Sequence, residues 1–286
     1  RHTDGNPFFA VELLRTLEEA GLLRAGSDLS QLGELARVVV PSLIQHVIDS
    51  RVARIGEATR GPLEIAAVIG QEVPLALWAT LADLEEEALL AIVERAAAAH
   101  LIEAMPNGTH IRFMHALTRE AIYEGILPPR RRLWHERIGE ALASELSPNP
   151  DAVALHFQRA GDIRAVDWLQ RAADQAQRAY AWLTAAELLR AAADIVKTME
   201  GQNYTYNRLV LRIAYLLRFS YPAEAAELLN ETDERAARSG DRIASALISH
   251  LHGVLLCYSD HFRAGTEHLF TGLGALFDVS IDASQV

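Results

Sequence analysis

The sequence contains a single lysine, Lys197, among its 27 basic residues, and all the others are arginine. A nucleotide-binding loop of the P-loop type needs a lysine after its glycines to reach the β- and γ-phosphates. Lys197 follows Asp194-Ile195-Val196 and has no glycine before it. These 286 residues therefore exclude a P-loop of their own, and nucleotide chemistry of that kind would need residues outside them.

Cysteine and long apolar runs are equally scarce. Cys257 stands alone, which excludes an internal disulfide and predicts a reducing, cytoplasmic location. No apolar run approaches the roughly 18 residues of a membrane span, so no membrane partner is expected. The chain begins at Arg1 with neither an initiating methionine nor a signal peptide, which predicts a piece cut from a longer protein.

Motifs for catalysis and for metal binding are absent as well. There is no Gly-x-Ser-x-Gly elbow, and His135-Glu136 is followed by Arg137-Ile138-Gly139, without the second histidine of a zinc protease. His250 and His252 lie in a leucine pattern with helical spacing, which splays the two side chains apart. We therefore predict no catalytic residue and no metal ligand, and we do not expect the fragment alone to be an enzyme.

The residues that are present predict a mainly α-helical chain. Half of them are hydrophobic, and alanine and leucine recur with helical spacing. Helices are predicted over Ile44–Val52, Leu63–Ile69 and Leu84–Ala98, the last with Leu84, Ala88, Leu89, Ile92, Val93 and Ala96 on one face. Strand-like runs at 101–105 and 110–114 flank Pro106-Asn107-Gly108, a strong hairpin signal. This order predicts a winged helix with a small β-hairpin over residues 41–127.

A five-residue sequence motif repeats in the second half of the chain. Ala185-Ala186-Glu187-Leu188-Leu189 recurs 40 residues later as Ala225-Ala226-Glu227-Leu228-Leu229, and Gly265-Thr266-Glu267-His268-Leu269 is a degenerate third copy. Each copy reads as the second helix of a pair, with first helices near 163–180, 204–220 and 242–259. The period predicts a TPR-like α-solenoid over 161–286. The alternative is coincidental recurrence in an alanine-rich chain.

Two further sequence segments resemble motifs of a known class of proteins. Thr3-Asp4-Gly5-Asn6-Pro7-Phe8-Phe9 resembles the segment that closes the nucleotide pocket in STAND-class signalling ATPases, which include the large LuxR-type, MalT-like regulators and the NB-ARC proteins. The word from Arg112 to Tyr123, which contains Met114-His115, resembles the Met-His-Asp motif at the end of their winged helix. The resemblance implies that 1–24 end the nucleotide-binding module. A polar, glycine-containing stretch predicts a connector over 25–40, and an amphipathic helix followed by Ser147-Pro148-Asn149-Pro150 predicts a helical linker over 128–160.

The resemblance also implies ligand-binding roles for three residues. Pro7 would pack against the adenine ring, and Gly5 would allow the backbone to approach it. His115 would donate a hydrogen bond to the β-phosphate of ADP and lock a closed resting state. Ala116 stands where the NB-ARC members have aspartate. The plain alternatives are that Pro7 is a first-turn helix residue and His115 a residue at a helix start.

The implied function is a switch between an ADP-bound resting state and an ATP-bound, self-associating active state, with Mg²⁺ in the full-length parent. A protein or small-molecule inducer would bind the helical repeats. DNA would be contacted only through a LuxR-type helix-turn-helix beyond Val286, and a cyclase or kinase output is the alternative. A second class of function is a plain protein-interaction scaffold without nucleotide switching.

A third possibility is that the winged helix itself binds DNA through its third helix. The outward positions of that helix carry Glu85, Glu86, Glu87 and Glu94 against Arg95 alone. The whole chain has a net charge of −11. Because phosphate binding needs a basic face, both features favour a module that packs against protein.

Overall fold

The computed structural model describes residues 55–278, which divide into two compact units at Ile138 and Gly139. The elements of the first unit are, in chain order, α1 (Glu57–Ile69), β1 (Glu72–Pro74), α2 (Leu75–Ala82), α3 (Glu86–Ala98), β2 (Ile102–Ala104), β3 (His110–Phe113), α4 (Ala116–Gly125) and the first part of α5 (Pro128–Ala143). The predicted helix at 44–52 lies outside the described residues, as do the segments 1–24 and 25–40.

The predicted hairpin is confirmed. Strands β2 and β3 pair antiparallel, with Ile102 opposite Phe113, and Gly108 in the turn has a φ of 68°. Glycine adopts this left-handed conformation without a steric penalty. The sequence patterns did not predict the third strand, β1, which pairs with β3 so that the sheet order is β1-β3-β2.

Two helix predictions in this unit need correction. Helix α1 begins at Glu57 rather than at Leu63, and Pro62 lies inside it, where its carbonyl accepts a hydrogen bond of 2.8 Å from Trp78 Nε1. On α3, Ala88 is exposed, so the inward face is narrower than the pattern predicted. The core of the unit consists of the large buried side chains Leu63, Trp78, Leu89, Ile92, Leu101, Ile102, Ile111 and Phe113.

Between Gly139 and Asp278 the second unit consists of helices joined by short turns. Its helices are α6 (Pro150–Ala160), α7 (Ala165–Arg178), α8 (Trp182–Lys197), α9 (Asn203–Leu217), α10 (Pro222–Ser239), α11 (Arg242–Tyr258) and α12 (Phe262–Asp278). Each helix from α6 onward packs against the next, and α9 also contacts α11. The predicted pairs are therefore present as α7 with α8, α9 with α10, and α11 with α12.

The repeated sequence motif lies at the same position in the second helix of each pair. Ala185, Ala225 and Gly265 are each the fourth residue of their helix, and all three are buried. In the third copy, α11 and α12 approach each other closely. A Cβ added to Gly265 of α12 would lie 2.9 Å from the Gly253 carbonyl oxygen of α11. The third copy is therefore degenerate for a physical reason, since only glycine fits between α11 and α12 at this point.

None of the helices within residues 55–278 combines the length and the apolar character that crossing a membrane would require.

Candidate functional site

His115 lies at the junction between β3 and α4. It is the N-cap residue of α4, with extended backbone angles (φ −140°, ψ 141°), and its imidazole does not cap the helix. The residue is half-buried. Because α4 has no acidic residue in its first turn, the positive end of the helix dipole is not offset there by a carboxylate of the helix itself.

Hydrogen bonds to the backbone of Phe113 and Met114 hold the two residues before His115 in place. Gln71 Nε2 donates to the Phe113 carbonyl at 2.7 Å, and the Phe113 N–H donates to the Gln71 carbonyl at 3.0 Å. The Met114 N–H donates to the Leu101 carbonyl at 3.0 Å. These bonds come from elements distant in sequence, so His115 leaves the sheet at a position set by the whole unit.

Residues after His115 anchor α4 to the rest of the unit. The Thr118 and Arg119 N–H groups donate to the His115 carbonyl at 3.0 and 3.3 Å, which forms the first turn. Arg119 Nε donates to the Ala67 carbonyl of α1 at 2.9 Å. The segment that resembles the Met-His-Asp motif therefore contains residues that stabilise the fold of the unit. Its histidine is half-buried at the junction between β3 and α4.

Such a junction suits the binding of an anion. A histidine donates one hydrogen bond when neutral and adds a positive charge when protonated. A helix N-terminus presents backbone N–H groups and a positive partial charge at the same place. Arg112, at the other side of the strand end, is engaged by Glu103 across the sheet, with an Nε to Oε1 distance of 2.9 Å, and this partner raises the pKa of Arg112.

A second polar cluster, which sequence reasoning missed, lies between α4 and α5. The Tyr123 hydroxyl lies 3.0 Å from Nε2 of His135, which is buried. The guanidinium of Arg131 lies 4.9 Å from the centre of the Tyr123 ring and pairs with Glu124 at 2.8 Å. The spacing of Arg131, His135 and Ile138 on one helical face was the signal that could have placed His135 inward.

A cleft of about 410 Å³ lies between α1 and the turn that joins α4 to α5. Arg60 and Arg130 line it together with Glu64, which lies 3.2 Å from Arg60 Nε and 3.8 Å from Arg130. Glu64 is nearly buried and offsets part of the positive charge of both arginines. Two members of the run Arg130-Arg131-Arg132 are thus paired with carboxylates of their own unit.

The outer face of α3 is acidic, as predicted. Glu85, Glu86, Glu87 and Glu94 are all exposed, while Leu89, Ile92 and Val93 point into the core. Arg95 is exposed and its Nε donates to the Ala91 carbonyl of the same helix at 3.1 Å.

The histidines of the second unit are helix residues. His250 and His252 both lie on α11, and the ring of His252 contacts His268 of α12 edge to face at 6.3 Å. Burial lowers the pKa of His252, and the nearby His268 lowers it further. Within residues 55–278, no three histidine, cysteine, aspartate or glutamate side chains are grouped so that they could hold a metal ion.

The remaining residues singled out from the sequence divide into two groups. Gly5 and Pro7 lie outside the described residues, so their predicted contact with an adenine ring stays a prediction. Lys197 is described, and it is the exposed last residue of α8, within the helical repeats.

Comparison with known proteins identifies a relative by sequence. No protein-family model matches the chain, and no solved structure matches it. An uncharacterized protein of Rhizobium meliloti (strain 1021) is 27% identical over 207 residues, which cover 70% of this chain. The same residues cover 20% of the relative, so this chain spans about a fifth of the length of that protein.

Proposed function

We propose that this chain is the regulatory and sensor portion of a STAND-class ATPase, of the LuxR-type, MalT-like kind. In this proposal residues up to Ile138 contain a winged helix that acts as a lid on a nucleotide-binding module, and the helix pairs that follow form a TPR-like sensor. The observation that carries the proposal is the position of His115, half-buried at the point where the last strand of a small sheet meets the N-terminus of α4.

The order of elements supports the lid. The proposed winged helix would consist of α1, β1, α2, α3, β2 and β3, with the sheet order β1-β3-β2; these include a strand and a helix that the sequence patterns missed. These elements are followed by three helix pairs, whose repeated sequence segments are 40 residues apart. This is the order in which the LuxR-type members carry these parts.

The proposed mechanism is a population shift between two states. In the resting state the imidazole of His115 donates a hydrogen bond to the β-phosphate of ADP, which is held by a phosphate-binding module upstream of Arg1. A partner on the helical repeats would favour a state in which that bond is broken, ADP exchanges for ATP and the protein self-associates. The output domain would lie outside these residues.

The first experiment is to examine the full-length parent. We expect a glycine-rich loop with a lysine upstream of Arg1, and we expect the purified parent to carry close to one molecule of ADP per chain, released on denaturation and identified by chromatography. A parent without such a loop, or one that purifies free of nucleotide under conditions that retain ADP in other ATPases of this class, would contradict the proposal and favour the plain scaffold.

DNA binding by the first unit is the competing function for a winged helix. The exposed glutamates of α3 would face the phosphates if this helix entered the major groove. We therefore expect no band shift of a 30-base-pair duplex by the chain at low salt, where phosphate contacts are strongest. Tight binding that weakens steeply as salt is added would contradict the assignment of this unit as a lid.

A further inference from the structure

The turns inside the three helix pairs of the second unit carry exposed aromatic side chains. The first turn has Tyr180 and Trp182, the second has Phe219 and Tyr221, and the third has Tyr258 and Phe262; we call these six residues the aromatic ridge. Their exposed fractions range from 45% for Trp182 to 79% for Tyr180. Soluble proteins seldom leave neighbouring aromatic rings exposed unless the surface binds something.

The three turns occupy the same place in successive helix pairs, so the ridge follows one edge of the second unit. The first and third turns share one backbone conformation, whereas in the second the Tyr221 N–H donates to the Leu217 carbonyl at 2.8 Å. Tyr180 and Asp260, which are two repeats apart, both have a φ of 61°. The N–H groups that follow them, of Ala181 and His261, donate back to the Ala176 and Leu256 carbonyls, each at 2.9 Å. Because successive pairs pack side by side, turns at corresponding places lie at the same edge. The Phe219 and Tyr258 rings, from the second and third turns, meet edge to face at 4.9 Å.

Arginine accompanies the rings. The Arg218 guanidinium lies 3.6 Å from the centre of the Tyr215 ring and 4.2 Å from that of Phe219. Arg178 occupies the same position one repeat earlier and is exposed. Within the turn segments 178–182, 218–222 and 258–262 the only carboxylate is Asp260. The turn segments therefore carry two arginines against one carboxylate, on a chain whose net charge is −11.

We propose that the aromatic ridge docks an extended, acidic peptide segment of a partner protein. Proline or aromatic residues of that segment would pack on the exposed rings, and its carboxylates would pair with Arg178 and Arg218. Aromatic residues and arginine are the side chains most enriched at the centres of protein interfaces, and flat aromatic surfaces suit proline-rich extended chains. Arg178 and Arg218 favour an acidic segment over a basic one.

Nucleic acid is the less favoured occupant. Rings and arginines also form stacking platforms for single-stranded nucleic acid, but such platforms lie in basic grooves that follow many phosphates. Here two arginines stand on an acidic chain, which would repel a polyanion over most of its length. A peptide with a few carboxylates places its negative charges only at the ridge.

This inference deepens the partner-binding half of the proposed function, and it does not depend on nucleotide. Peptide binding to the ridge is measured on the full chain without ADP or ATP. The scaffold alternative would retain ridge binding while ADP retention fails. A nucleotide switch whose inducer binds elsewhere would give the opposite result.

The experiment begins with a random library of 12-residue peptides displayed on phage and selected against the immobilised full chain. We expect the selected peptides to be enriched in aspartate or glutamate together with proline or aromatic residues. The most enriched peptide is then synthesised with a fluorescent label, and its Kd is measured by anisotropy.

The variants test the two parts of the ridge separately. The double substitution Phe219→Ala with Tyr258→Ala should raise the Kd by on the order of tenfold or more, because it removes two central rings. Arg178→Gln with Arg218→Gln should raise the Kd at low salt and reduce its dependence on salt. Phe270→Ala is the matched control, since Phe270 is exposed on α12 outside the turns and should leave the Kd unchanged.

Five results would overturn the proposal, and the first four concern the bound partner. These four are the absence of enrichment, enrichment of basic peptides, a Kd that both double variants leave unchanged, and binding of a 15-nucleotide oligothymidylate that the aromatic double variant abolishes. Self-association of the chain that the same variant abolishes would assign the ridge to a second copy instead. Because the replaced side chains are exposed, circular dichroism melting should confirm that each variant folds.

Discussion

The two units of this chain differ in the contacts that stabilise each of them internally. In the first unit, β1 pairs with β3 across a long stretch of sequence, with Glu72 opposite Arg112, and single polar side chains such as Gln71 and Arg119 bond to the backbone of distant elements. In the second unit each helix packs mainly on its neighbours, through alanine, leucine and glycine at repeated positions.

This difference in internal contacts suits the two units to different kinds of binding site. A junction such as His115 needs a position that is set by many distant contacts at once, and the first unit provides it. A surface that extends along several helix pairs needs turns at corresponding places in each pair, and the second unit provides them. Substitutions should therefore act through specific partners in the first unit and through the approach of neighbouring helices in the second.

The largest effect should come from the close packing of α11 and α12. A Cβ added to Gly272 would lie 2.7 Å from both the Ala246 carbonyl oxygen and the His250 nitrogen, and these backbone atoms cannot move aside locally. Gly272→Ala should therefore destabilise the second unit by about 1–3 kcal/mol. Urea denaturation followed by hydrogen exchange should show the loss in α11 and α12.

Gly274 provides the matched control on the same helix. A Cβ added there meets no atom within 4 Å, and the residue is exposed. Gly274→Ala should stabilise the unit by about 0.5–1 kcal/mol, because alanine costs less conformational entropy in a helix. Two results would contradict this account of the second unit. One is a change in the free energy of unfolding with the same sign for both substitutions, and the other is a loss of amide protection in the first unit with Gly272→Ala.

A smaller effect is expected in the first unit from Tyr123→Phe. The substitution removes the hydroxyl that lies 3.0 Å from Nε2 of the buried His135 and keeps the ring. Loss of a hydrogen bond to a buried polar group should cost about 1–2 kcal/mol. Hydrogen exchange should locate the loss in α4 and α5. Tyr204→Phe, at a half-exposed tyrosine of α9, should change nothing, and equal effects of the two would contradict the assigned role.

The smallest effect should be a pH dependence confined to the second unit. Burial and His268 lower the pKa of His252 below its ordinary value of 6.5. The unfolded chain therefore binds a proton at this site before the folded chain does, so the stability contributed at this site is present above pH 6.5 and is lost as the pH falls toward the folded pKa. A hydrogen bond with the Ala226 backbone and, more weakly, the charge of Asp233, both on α10, oppose this lowering of the pKa.

The pH prediction is checked by urea denaturation at pH 7.5 and 5.5. Wild type should lose more stability between the two values than His252→Gln, and hydrogen exchange should place the difference in α11 and α12. A wild type and variant with the same pH dependence would show that another group is responsible.

Prediction from sequence succeeded where the pattern was long and local. The helix pairs followed from leucine and alanine spacing, and the hairpin followed from Pro106-Asn107-Gly108, because these signals act between near neighbours. Strand β1 was missed because three residues ending in Pro74 show no alternation, and α2 because its eight residues are too few and too uniformly apolar to show a helical period.

The candidate site was predicted only in part. His115 was found through a short word that resembles a known motif, whereas the bonds that position it, from Gln71 and to Leu101, join elements that no local pattern connects. The Tyr123–His135 contact and the aromatic ridge were missed for the same reason, since each depends on which helices are neighbours in space.

The most direct test of the central claim is the rate at which the full-length parent releases ADP. A fluorescent ADP is bound and then chased with excess unlabelled ADP for wild type, His115→Ala and His110→Ala. His110 is the control because it lies at the other end of β3, where it contacts Thr109 at 2.8 Å. We expect His115→Ala to release ADP about 10 to 100 times faster, the loss of one hydrogen bond to a charged group, and His110→Ala to match wild type. An unchanged rate for His115→Ala would contradict the account of this unit as a nucleotide lid.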